Sequence, residues 1–90
     1  MIKVAIGQNA PDFLVLKKNV VLKGVEVKST KKHIYRPKKH DREQFEFLEI
    51  FQGDTKIPVE YLIRTVPKGK RIGKWEVLSL TEFYKKYIRR

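Results

Sequence analysis

The stretch "PDFLVLKKNVVLKGVEVKS", residues 11–29, decides how this chain reads. Its two β-rich runs, DFLVL (12–16) and VVLKGVEVK (20–28), are separated by Lys17, Lys18 and Asn19, which is a hairpin signal. Side chains alternate along a strand, so Glu26 and Lys28 share one face while Val25 and Val27 share the other. If the hairpin turns around Asn19, Asp12 falls directly opposite Glu26, where paired Cβ atoms are about 4.5–5.5 Å apart.

Two carboxylates that close repel each other unless something positive lies between them. A hard divalent cation fills that role, and oxygen ligands are what Mg²⁺ takes. Held by Asp12 and Glu26, Mg²⁺ can polarise a phosphate oxygen and acidify a bound water. Lys28, at the rim, can orient that water or offset charge in the transition state. The pattern points to metal-dependent hydrolysis of phosphodiesters. A solvated strand face is the plain alternative for Glu26-Val27-Lys28. With 15 lysines and seven glutamates in 90 residues, about one Glu-x-Lys is expected by accident. What separates the two readings is the combination of the single Pro-Asp pair, the hairpin spacing and the register.

Composition frames that chemistry. Ninety residues form one domain, 1–90, and an apolar share of 41% with ten aromatics suits a folded chain. No cysteine is present, so disulfides and thiolate metal sites are excluded. The early apolar runs are broken by Lys3, Lys17, Lys18 and Lys23, which fits neither a signal peptide nor a membrane span. An intracellular, cytoplasmic location is the expectation. A formal charge of +11 attracts polyanions, of which nucleic acid is the commonest inside cells. Charge for solubility alone is the alternative. A membrane-surface role would need a basic helix with an exposed apolar face. The terminal "FYKKYIRR" instead reads as turning Phe83, Tyr84, Tyr87 and Ile88 inward.

Along the chain, IKVAI (2–6) alternates as a strand and GQNAP (7–11) is turn chemistry. Pro37 argues against a central strand through the basic segment 29–40. In "DREQFEFLEIFQG" the period becomes helical. Asp41 suits the N-cap, Gly53 suits the residue past the C-terminus, and Phe45, Phe47, Leu48, Ile50 and Phe51 form a wide apolar stripe. IPVEYLIRTV (57–66) and KWEVLSL (74–80) are two more strands joined by the basic turn PKGKRIG, and Thr81 caps a closing helix. The order β-β-β-α-β-β-α implies an α/β fold with helices flanking a mixed central sheet.

With these residues the chain resembles the PD-(D/E)XK nuclease superfamily, and within it the archaeal Holliday-junction resolvases. The resemblance runs from the Pro11-Asp12 strand through GVEVKSTKKHIY, REQFEFLEIF and IPVEYLI to the Trp75 strand. It implies a restriction-endonuclease-like core with Asp12, Glu26 and the Val27 carbonyl as metal ligands and Lys28 as the catalytic lysine. Mg²⁺ is the implied cofactor, with Mn²⁺ as a substitute. Gln44 matches a helical position that faces the site in relatives, and it can equally serve as a capping partner for Asp41. The implied partner is branched or four-way-junction DNA, cut by a homodimer. The implied setting is nucleoid-associated, of archaeal or archaeal-virus origin. Relatives usually open with a helix bearing one more acidic residue, whereas this sequence opens on MIKVAI. The resemblance then implies a trimmed member with a weaker metal site, a missing helix supplied by another chain, or binding without cutting.

Lys31, Lys32, Arg36, Lys38, Lys39 and Arg42 surround His33 and Tyr35 and are expected to grip phosphates beside the hairpin. His33 and His40 read as surface or phosphate-contact residues rather than metal ligands. Trp75 shares a strand face with Val77 and is expected in the core rather than as a base-stacking platform. Two other functions remain open: a non-catalytic DNA- or RNA-binding module that keeps the nuclease fold, and a small structural RNA-binding protein. Metal dependence separates the nuclease from both.

Overall fold

The 11–29 hairpin forms, and its turn and a bulge together set its register. The computed structural model describes residues 2–3, 11–69 and 71–89. β2 (Phe13–Lys17) and β3 (Val20–Thr30) are joined by Lys18 and Asn19, both with positive φ, 52° and 64°. That is the geometry of the two-residue type I′ turns that match strand twist. Such a turn alone would pair Lys17 with Val20 and leave Asp12 facing Val25. Leu22 is the extra residue of a bulge, so that Leu16 faces Val21 while Val15 faces Lys23. Beyond the bulge Phe13 faces Val25, which puts Asp12 in line with Glu26. A one-residue slip would send the acids to opposite faces.

The sheet runs in the order β1 (Ile2–Lys3), β2, β3, β4 (Val59–Thr65), β5 (Lys74–Ser79). Only β3 and β4 are parallel, and α1 (Lys39–Thr55) makes the crossover between them. The protein is thus a small α/β chain with a mixed sheet, in the element order read from the sequence. Residues 4–10, the rest of the first expected strand and most of its turn, lie outside the described residues. No described helix is long and apolar enough to cross a membrane.

α1 starts earlier and ends later than Asp41 and Gly53 suggest. Lys38 is the extended N-cap residue, and Asp41 sits three residues in, its Oδ2 accepting the Lys38 N–H at 3.0 Å. The helix passes through Gly53 to Thr55 and stops at Lys56 in the left-handed conformation, φ 61°, whose N–H bonds the Gln52 carbonyl. Pro58 supplies the stop, since it disfavours helical backbone at Ile57. The closing helix is capped by Ser79, not Thr81, with Glu82 completing a reciprocal capping box. One α-turn, α2 (Leu80–Phe83), runs into a π-helical segment, Tyr84–Ile88.

Both helices lie on one face of the sheet. Phe45 and Leu48 of α1, Leu80 and Phe83 of α2, and Tyr87 pack on Val59, Tyr61, Ile63 and Leu78. The Tyr61 and Phe83 rings stack at 3.7 Å between centroids. Tyr35, read as part of a basic loop, is buried against Phe83 and Tyr87 and pins that loop to the core. The wide stripe of α1 narrows: Phe47 and Ile50 are exposed because contact with the sheet admits only the Phe45–Leu48 line. Tyr84 is likewise exposed at the rim, stacked on Phe45. Trp75 and Val77, expected inside, are 59% and 58% exposed. Leu78 is the β5 residue that meets the helices, so Trp75 and Val77 face the side the helices leave open.

Two glycines give opposite expectations. A Cβ on Gly24 would stand 2.5 Å from Cγ of buried Pro11, whereas one on Gly53 meets nothing within 4 Å. Gly24→Ala should cost about 1–3 kcal/mol by overpacking, lowering Tm by roughly 5–15 °C. Gly53→Ala should raise Tm by several degrees, since alanine is favoured over glycine within a helix by about 1 kcal/mol. Thermal melts followed by circular dichroism check both signs.

Candidate active site

β3 delivers Glu26 and Lys28 to the helix-covered face, in register with Tyr61 and Ile63 of β4. The β2–β3 ladder ends at the Phe13–Val25 pair, and Asp12 continues it through its side chain. Its N–H donates to Glu26 Oε1 at 3.2 Å, and its Oδ2 accepts the Val27 N–H at 3.1 Å. The N–H and C=O of a strand residue point to the same side, so the Val27 carbonyl shares this edge with Asp12. Pro11, packed over Gly24, fixes how the chain arrives.

Lys28 is the centre of a second set of contacts. Its ammonium donates to Gln44 Oε1 and lies 3.4 Å from Glu26 Oε2 and 3.2 Å from Asp41 Oδ1. The side chain is only 14% exposed, unusual for lysine. Asp41 and Gln44 reach it together because residues three apart share a helix face. The two uses open to Gln44 are thereby decided in favour of facing the site. The helix cap is made by Asp41 itself.

Burial pushes the Glu26 carboxyl up to about 7, and the neighbouring Asp12 charge adds to the rise. Lys28 and the Asp12 N–H pull the other way without cancelling it. Glu26 is 1% exposed, so desolvation leads. Asp41 goes the opposite way. Burial works upward on it, but the Lys38 N–H and the Lys28 ammonium outweigh that and hold it below the usual carboxylate range.

The donor set suits a hard cation. Two carboxylates converge at one strand edge with a backbone carbonyl beside them, and burial, with the Asp12 charge adding to it, raises the Glu26 pKa, a rise that a cation there would oppose. The Tyr61 hydroxyl, whose ionisation burial and then the Glu26 charge oppose, is buried without a hydrogen-bond partner among the described residues. Asp12, Glu26 and Val27 are thus the residues able to hold Mg²⁺, while Asp41 is held by Lys28.

The six basic residues divide. Lys32, Arg36 and Lys38 line a groove of about 310 Å³ that opens directly from Lys28 and Asp41. Lys31 lines a different groove with Arg64 and Lys68. Lys39 points outward from the first turn of α1 near Glu43, and Arg42 donates to the Ile88 carbonyl, closing the π-helical segment. Those two do not line the Lys28 groove. Neither histidine lies near the acids: His33 borders grooves beside Lys74, and His40 is exposed on α1. Asp41 joins the site although the sequence marks it only as a cap; its spacing of three from Gln44 is the available signal.

Comparison with known protein-family models, curated proteins and solved structures finds no match to this chain.

The raised Glu26 pKa has a thermodynamic consequence. The native carboxyl, near 7, binds its proton more tightly than the unfolded one at 4.5. The stability this supplies is complete below pH 4.5 and is lost as pH rises through 7. The loss amounts to at most about 3 kcal/mol. Glu26→Gln should flatten the fall of Tm between pH 5 and pH 8. A variant as steep as wild type would show that Glu26 does not carry it.

Proposed function

We propose that this chain is a Mg²⁺-dependent endonuclease of the PD-(D/E)XK type, with a restriction-endonuclease-like core, that hydrolyses DNA phosphodiesters at Holliday junctions or other branched DNA. The carrying observation is the convergence of Asp12, Glu26 and Lys28 on one sheet face, with direct contact between the Asp12 N–H and the Glu26 carboxylate. Asp12, Glu26 and the Val27 carbonyl would hold the metal. Bound there, Mg²⁺ supplies polarisation of a phosphate oxygen and acidification of water. Gln44 and Asp41 steer the Lys28 ammonium, which offsets negative charge growing at phosphorus. Lys32, Arg36 and Lys38 take the flanking phosphates. Acting as a homodimer, two copies would nick opposite strands of a junction.

One observation favours a second reading, a DNA- or RNA-binding module that keeps the fold without cutting. The Lys28 ammonium is already shared among Gln44, Glu26 and Asp41, the arrangement of a structural ion-pair network.

The discriminating assay uses a labelled four-way DNA junction beside linear duplex, with Mg²⁺ or EDTA. The nuclease reading expects paired nicks near the branch that need Mg²⁺ and disappear in Asp12→Ala and Glu26→Ala. Cutting that survives both variants would sink it, and tight junction binding without cutting would establish the binding module.

Salt titrations of binding in EDTA test the groove. In the Lys32→Ala, Arg36→Ala, Lys38→Ala triple variant, the slope of log affinity against log salt should fall by about 0.9 for each phosphate that is no longer neutralised. An unchanged slope would remove this groove from the DNA path.

A further inference from the structure

The sheet face without helices has a site of its own. The groove of about 500 Å³ at the C-terminal ends of β3 and β4 is lined by Ser29, Lys31, Arg64 and Lys68, with no carboxylate among its described lining residues. Its walls are tied together, since the Lys68 N–H donates to the Lys31 carbonyl at 3.0 Å and the Val66 N–H to the Thr30 carbonyl at 2.9 Å. On the adjoining strand Trp75 is 59% exposed, and the Arg64 guanidinium lies over its ring, 5.6 Å from the centroid. Val77 beside it is 58% exposed.

We infer that this face binds single-stranded nucleic acid, with Trp75 stacking on an unpaired base and Lys31, Arg64 and Lys68 holding the adjoining phosphates. An exposed aromatic beside a row of cations is the pairing that single strands require: a π-face for the base and positive charge for the backbone. A duplex hides its base faces and would meet only the cations. A second copy of the chain fits poorly, because bringing this cationic groove toward its own twin sets like charges together. The site shares no cation with the Lys28 groove, and the inference stands whether or not that groove cuts DNA.

Trp75 is the only tryptophan, so its emission reports this face directly. Titration with oligo-dT in EDTA, in a Glu26→Gln background, keeps hydrolysis out of the experiment. The emission should be quenched, and it should stay so in the Lys32, Arg36, Lys38 triple variant. Fluorescence anisotropy of a labelled strand should show roughly tenfold weaker binding for Trp75→Ala, with most of it restored in Trp75→Phe. Lys31→Ala and Lys68→Ala should each lower the salt slope by about 0.7. An oligo-rU arm separates DNA from RNA, and preference for either single strand over duplex supports the site. Absent quenching, or Trp75→Ala binding as tightly as wild type, overturns it. So does an unchanged strand affinity with altered sedimentation of Trp75→Ala alone, which would assign the face to self-association.

Discussion

The site depends on a buried carboxyl. Glu26 is 1% exposed on the face covered by helices, where a lone carboxylate would be costly. The chain meets that demand locally: the Asp12 N–H reaches Oε1, the Lys28 ammonium lies near Oε2, and burial raises the carboxyl pKa to about 7. Each of these needs the right register. The Lys18–Asn19 turn and the Leu22 bulge supply it together, one displacing the pairing by a residue and the other restoring it. Pro11 then seats on Gly24, where no side chain could be accommodated without moving it, and Asp12 follows.

Asp41 links this arrangement to the helix. One of its carboxylate oxygens accepts the Lys38 N–H at the start of α1, and the other faces the Lys28 ammonium at 3.2 Å. Helix start and lysine position are set by the same side chain. Buried ion pairs of this sort contribute little net stability, because desolvation offsets their attraction. Their effect here is geometric. Lys28 has Glu26, Asp41 and Gln44 around it, on two different elements, and its stem has little freedom left.

The meeting of Asp12 with Glu26 is legible in the sequence because strand alternation and a short hairpin leave few registers. The bulge at Leu22 is not, since no glycine or proline marks it, and the expected register holds only because turn and bulge offset each other. The partners of Lys28 are half legible. Gln44 is in view, but Asp41 reads as a cap because it fits one, and in the fold it performs both tasks. Trp75 shows where periodicity ends. Alternation groups Trp75 with Val77 and Glu76 with Leu78, and the first pair looks the more apolar. Yet Leu78 meets the helices, while Glu76 is engaged by Lys86 and the Tyr87 hydroxyl. Which face is covered depends on the side to which the following helix and π-helical segment fold back, and the pattern within one strand does not carry that information.

Charge is divided between the faces at one short segment. Just past the end of β3 the chain sends Lys31 to the Arg64–Lys68 groove and Lys32 to the groove that opens from Lys28. Ser29 and Thr30 border both. A net charge of +11 spread evenly would only raise the general attraction for polyanions. Part of it is instead gathered into two separate grooves at one strand end, Lys31, Arg64 and Lys68 in one and Lys32, Arg36 and Lys38 in the other, so each groove presents a local cluster of cations.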